Sequence, residues 1–258
     1  MKTSLRLTSL LVAGAASLLA VGAAAADCDH KALRNGESDV AGVKRVVIVA
    51  EAGDLVVLGK SGSGKILARG EACAGSASQL ERIQLETRKS GDTVTITARV
   101  DREKDWGWSD NAWMDLEIEV PSALEVEIED GSGDSVLRDL GKVRMEDGSG
   151  DVRIQKVAGL RLVDGSGDID IDGAAEIDLE DGSGDILVRN ARGNVMIDED
   201  GSGDIDIKDV EGSVTVRDDG SGSIYVADVR GDFTVDSDGS GEIEHKNVTG
   251  KVSIPAED

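Results

Sequence analysis

The sequence predicts an all-β fold: a parallel β-solenoid, or β-helix, of 17–19-residue rungs preceded by an irregular β N-terminal part. Three observations predict it. The motif Asp-Gly-Ser-Gly begins at Asp130, Asp147, Asp164, Asp181, Asp200, Asp219 and Asp238, at intervals of 17, 17, 17, 19, 19 and 19 residues, and a fixed period near twenty marks stacked repeats. Between motifs, apolar and charged residues alternate, as in "DIDID" and "EIDLE", the period-2 pattern of strands with one buried face. The apolar positions also fall in columns that match from unit to unit.

The chain opens with Lys2 and Arg6 ahead of a charge-free run, Leu7 to Ala26, that closes on small residues. This is the layout of a secretory signal peptide over 1–26, cleaved after Ala26. Twenty residues also just suffice to span a bilayer, but the Ala/Gly composition and the A-x-A ending favour cleavage. Asp27 before Cys28 does not suit a lipoprotein signal. The expectation is a periplasmic, secreted or cell-surface protein with no membrane insertion after cleavage. Removal of Lys2 and Arg6 would leave 26 basic residues against 52 acidic, net −26. Such a charge argues against nucleic acid and anionic membrane surfaces as partners, since phosphate binding requires basic patches.

Residues 27–125 read as a degenerate β N-terminal part. The two cysteines, Cys28 and Cys73, suit a structural disulfide in an oxidising compartment, worth about 2–4 kcal/mol across their separation. A metal site would need more ligands, and a catalytic thiol lacks an obvious base. "RVVIVAEAGDLVVLG" repeats the rung scheme with Ala52-Gly53-Asp54 in place of Ser-Gly-Asp. "GKSGSGKI", Gly59 to Ile66, almost spells a phosphate-binding loop, yet Ile66 stands at the Ser/Thr position and no helix of useful length is expected after it. It reads as a glycine-rich connection. "IQLETRKSGDTVTITARV" reads as two strands about the turn Lys89 to Asp92, and "MDLEIEVP" as another. Between them, "WGWSDNAW" gathers Trp106, Trp108 and Trp113. These rings suit either a glycan or protein contact or a cap over one end of the stack.

Residues 126–254 are the regular repeats, followed by a tail, 255–258. One position after the residue that closes each motif stand Ser135, Val152, Ile169, Ile186, Ile205, Ile224 and Ile243; two further on stand Leu137, Ile154, Ile171, Val188, Ile207, Val226 and His245. A second strand contributes Met145, Leu162, Leu179, Ile197, Val216, Val235 and Ile254. Stacking explains such columns, each Ile lying on the one below at about 4.8 Å. Lengthening from 17 to 19 is expected to add one residue at each turn and none inside a strand, where it would flip every later side chain to the wrong face. The last rung is atypical, as terminal rungs are.

These features, a degenerate Gly-Asp-strand unit, a strand ending in "VP" and tandem "DGSGDIDI" and "DGSGDILV" units, resemble the bacterial family of uncharacterised "putative adhesin" β-strand-repeat proteins over roughly residues 40–254. The resemblance implies a β-solenoid and adhesion or interaction in the cell envelope. It brings no catalytic residues. With His30 and His245 the only histidines, nucleophilic catalysis lacks a base, so no enzyme activity is expected. The partner expected is an envelope or surface protein or glycan.

The acidic turns are the remaining candidates. Stacking would align Asp130, Asp147, Asp164, Asp181 and Asp200, continued by Asp219 and Asp238, in one ladder, and Asp134, Asp151, Asp168, Asp185 and Asp204 in another. Like charges at that spacing repel by about 0.9 kcal/mol per pair even in water. Either each Asp caps its own turn by accepting backbone N–H bonds, or the ladders hold weakly bound Ca²⁺ as hard oxygen ligands. The second alternative is a calcium-stabilised acidic β-roll. This chain differs from the known β-roll repeat in having only one acidic glycine-rich turn per rung. No other cofactor is expected.

Overall fold

The computed structural model describes residues 28–100 and 112–255. The signal-peptide expectation, Trp106 and Trp108 lie outside these residues. The described chain forms a parallel β-solenoid in which two 11-stranded sheets face each other across one core. Each regular rung runs from the Asp-Gly-Ser-Gly corner into a strand of the first sheet, such as Ile169–Asp172. It then passes a second corner into a strand of the second sheet, such as Ile177–Asp181. Successive rungs pair in parallel and in register: Val152 beside Ile169 and Ile169 beside Ile186 in the first sheet, Leu160 beside Ile177 in the second. Alternation puts Ile169, Ile171, Ile177 and Leu179 inside, each at most 3% exposed.

The N-terminal part belongs to the same two sheets. Arg45–Ala50 and Leu55–Lys60 form a rung that lies directly against the regular stack, pairing with Glu125–Asp130 and Ser135–Arg138. On its far side, Thr93–Val100 and Ala112–Pro121 add one parallel strand to each sheet. Antiparallel strands then close that end: Lys65–Ala74 and His30–Asp39 on the first sheet, Ile83–Ser90 on the second. Cys28 and Cys73 are joined by a disulfide with their Cα atoms 5.7 Å apart, which fastens the outermost strand. The phosphate-loop lookalike is the turn between Leu55–Lys60 and Lys65–Ala74, with Ile66 in the core.

Lengthening from 17 to 19 residues differs in one respect from the expectation. One extra residue does enter at the second corner, between Ala191 and Val195. The other enters the second-sheet strand itself, where pairing of Ile177–Asp181 with Val195–Asp200 shifts register between Leu179 and Glu180. A β-bulge absorbs one residue near a strand end without turning over the residues beyond it, so Asp200 still stands beside Asp181 and remains buried.

Both corners impose backbone requirements. At the Asp-Gly-Ser-Gly corner the second glycine has φ of +126° to +147° from Gly133 to Gly222. A Cβ at Gly167 would overlap the carbonyl oxygen of Gly150 in the rung below. Only glycine permits both the dihedral and the approach. The Gly150 N–H meanwhile donates to the Ser166 carbonyl of the next rung, at 3.0 Å, and the corner thereby continues the sheet's bonding. The second corner repeats a left-handed residue once per rung: Asp139, Lys156, Gly173, Asn190, Asp209, Asp228 and Asn247. Asp, Asn and Gly tolerate that region, and Lys156 is the exception. Gly167→Ala is expected to lower stability by about 2–4 kcal/mol, and Lys156→Gly to raise it by about 1 kcal/mol, both read from urea unfolding midpoints.

Candidate functional site

Five of the seven motifs carry two aspartates, four residues apart, and these occupy opposite environments. The first continues the inward alternation of the second-sheet strand: Ile177, Leu179 and Asp181 all point inside. Asp130, Asp147, Asp164, Asp181, Asp200 and Asp219 are each at most 6% exposed, and Asp238 is half-buried. The second precedes the buried Ile of the first-sheet strand and faces outward. Asp134, Asp168, Asp185 and Asp204 are exposed, and Asp151 is half-exposed.

The outer column is held by backbone amides, though not those of its own turn. Each carboxylate accepts the N–H of the equivalent residue one rung on: Asp151 N–H to Asp134 at 3.1 Å, Asp168 to Asp151 at 3.3 Å, Asp185 to Asp168 at 3.1 Å, Asp204 to Asp185 at 3.0 Å and Ser223 to Asp204 at 2.9 Å. Asp54 and Asp115 carry the column into the N-terminal part, accepting from Asp134 and Asp54. An amide dipole between successive carboxylates offsets part of their repulsion, and charge-assisted bonds are the stronger kind.

The inner column has few such partners. Ser135 stands where later rungs carry Val or Ile, and its hydroxyl donates to Asp130 at 2.7 Å. Asp181 accepts the Ser183 N–H at 3.3 Å. Both carboxylate oxygens of Asp147, Asp164, Asp200 and Asp219 are buried without a partner. Two neighbouring carboxylates can only accept; protonating one makes it a donor to the other. Burial, reinforced by adjacent aspartates, accordingly pushes Asp147 and Asp200 up to about 7 and Asp181 up to about 6. Burial and Asp238 raise Asp219 to about 6, and burial also raises Asp130 and Asp164. Asp147, Asp181, Asp200 and Asp219 are thus carboxyls that hold protons up to about pH 6–7.

Of the tryptophans only Trp113 is described, half-buried against the core on a strand beside Cys73. Among the described residues no group of three or more His, Cys, Asp or Glu side chains is placed to hold a metal ion. No described helix is long and apolar enough to cross a membrane.

A feature the sequence reading missed runs along the second corner. The left-handed residues and their neighbours line an open groove of about 1370 Å³ that reaches from Ser61 and Ser122 to Thr249. Asp139, Lys156, Asn190, Asp209, Asp228 and Asn247 recur along it, one per rung. Asn190 donates to Asp172 at 2.7 Å and Asn247 to Asp228 at 2.8 Å, fixing their amides between rungs. The recurrence of Asp, Asn and Gly at this corner is a signal that Lys156 interrupts.

A two-sheet parallel stack with glycine corners and aspartate ladders defines a repeat-built β-solenoid. The chain belongs to the Toastrack DUF4097 family, whose model matches residues 65–257. The chain is similar to several solved structures, the first of which shares the fold. A "putative adhesin" from Bacteroides fragilis has 17% identity and a TM-score of 0.52 over 87% of this chain and 97% of that one. A "putative lipid binding protein" from Parabacteroides distasonis has 15% identity and a TM-score of 0.49 over 87% and 97%. A "putative adhesin" from Parabacteroides merdae has 14% identity and a TM-score of 0.42 over 87% and 96%. No curated protein matches the sequence significantly.

The inner column makes stability depend on pH with a definite sign. Unfolded aspartates ionise near about 3.9, whereas the folded column retains protons to pH 6–7. In that window the folded state binds more protons. Stability therefore rises as pH falls from 7 towards 4, and is lost as pH rises through the folded values. The urea midpoint is expected to be higher at pH 5 than at pH 8. Asp200→Asn should raise the pH 8 midpoint and flatten the dependence; an unchanged slope would assign it to surface charge instead.

Proposed function

We propose that the protein is a non-enzymatic structural and interaction module of the cell envelope, exported by its N-terminal segment, that engages an extended polymer along the second-corner groove. The observation that carries this reading is the groove itself. It spans every regular rung and presents one set of hydrogen-bonding side chains per rung, at a repeat of about 4.8 Å. A small-molecule enzyme site concentrates its polar groups in one concave place, whereas a periodic groove suits a chain that lies along it. Family membership and a fold shared with a protein named as an adhesin support the same reading.

The calcium alternative finds no grouping of three donors among the described residues. One oxygen of each outer carboxylate from Asp134 to Asp204 already takes an amide. The aspartate columns are accordingly read as architecture.

Cosedimentation with isolated cell envelopes tests the proposal. The protein should pellet with them, and Lys156→Glu combined with Arg230→Glu in the groove should reduce the bound fraction at least fivefold. Arg217→Glu, on the outer face of the second sheet, should leave it unchanged. Protease and glycosidase treatment of the envelopes then separates a protein partner from a glycan. Failure to pellet, or equal loss in both variants, would overturn the groove as the contact.

A further inference from the structure

The two ends of the stack are built differently. At the N-terminal end the outermost strands, His30–Asp39 and Ile83–Ser90, run antiparallel to their neighbours, and ion pairs tie them in: Lys31 with Glu71, Lys65 with Glu37 and Lys89 with Asp39. At the other end, Ile243–Val248 and Val252–Ser253 are the outermost described strands of their sheets, each with one edge unpaired. Ile243, Val248 and Val252, which occupy core columns, are only half-buried there, and Ile254 is 41% exposed. His245 takes the place of Val226 and is exposed, its ring 6.2 Å from that of the buried Phe233.

We infer that the C-terminal rung is a self-complementary interface, through which two copies of the chain stack end to end about a two-fold axis. An unpaired strand edge is a template for another strand, and a two-fold axis perpendicular to the sheet pairs Ile243–Val248 with its own copy in antiparallel fashion. That axis keeps inner faces inner. The second-sheet edges then also meet, and the half-buried Ile243, Val248 and Val252 of both copies lie along the seam so formed.

Charge selects both the partner and the register. Residues 223–241 carry four acids and one arginine, whereas residues 242–255 carry two acids, Glu242 and Glu244, and two lysines, Lys246 and Lys251. Residues 242–255 are thus balanced in charge within a chain of net charge −24, which lowers the repulsion that a second copy meets along this edge. A register that keeps inner residues inside must be centred on a residue, since a one-residue slip turns over the strand. Centring on Glu244 or on Lys246 sets like charges directly opposite, which is destabilising. Centring on His245 instead sets each Glu244 opposite the other copy's Lys246. The register that matches charge also matches faces.

Sedimentation velocity on the purified chain over a hundredfold range of concentration tests the inference. The chain should show a concentration-dependent dimer, and Glu244→Lys or Lys246→Glu alone should weaken it at least tenfold. The combined exchange, Glu244→Lys with Lys246→Glu, restores the opposition and should restore the dimer. Circular dichroism of each variant separates lost association from lost folding. A monomer at all concentrations, single variants that dimerise as well as the original, or a double exchange that fails to rescue would each overturn it.

Discussion

The structure depends on one close contact, the passage of backbone over backbone at the Asp-Gly-Ser-Gly corner. There the α-carbon of one rung's second glycine approaches the carbonyl of the rung below so closely that a methyl group has no room. Because this approach recurs at every rung, it fixes which residue lies over which, and the parallel register of both sheets is set with it. Given that register, alternation sends Ile, Val and Leu into one continuous core. The lengthening from 17 to 19 residues respects the same constraint. One residue is taken up at the opposite corner and the other as a bulge before the glycines, and neither disturbs the contact.

That corner also explains how a highly acidic repeat folds. In five of the seven units a sharp turn places two aspartates, four residues apart, on opposite sides of the sheet wall. The outer one sits where the next rung's amide can be donated to it. The inner one has few partners, the Ser183 amide on Asp181 among them, and a proton neutralises what they leave. The ladder is therefore two chemically distinct columns made from a single residue type. Ser135 shows how the first rung meets the same problem by supplying a hydroxyl to Asp130.

Much of this was legible in the sequence because stacking writes itself as columns. The rung length, both strands, the degenerate unit at Arg45 to Gly59 and the Cys28–Cys73 pairing could be read from spacing, alternation and cysteine count. The inner and outer aspartates were not told apart, although parity held the answer: Asp181 lies two residues beyond the buried Leu179, and Asp185 lies one before the buried Ile186. Amide bonding one rung ahead was harder to anticipate, since it depends on the third dimension of the stack. The second-corner groove was hidden for a related reason. Its left-handed residues share a backbone conformation, and Lys156 breaks the compositional clue. Least legible was the order of the N-terminal strands, where Ala112–Pro121 inserts between Lys65–Ala74 and Leu55–Lys60. Such neighbours, distant in sequence, leave no periodic trace.

The near-identity of the units carries a consequence for how the molecule can change. Each rung meets its neighbours through the same corner, columns and amide bonds, so removing or duplicating one unit leaves every remaining junction of a kind already present. Gain or loss of a unit would lengthen or shorten the body in whole steps of about 4.8 Å. The protein is in this sense a ruler, its length inherited as a count.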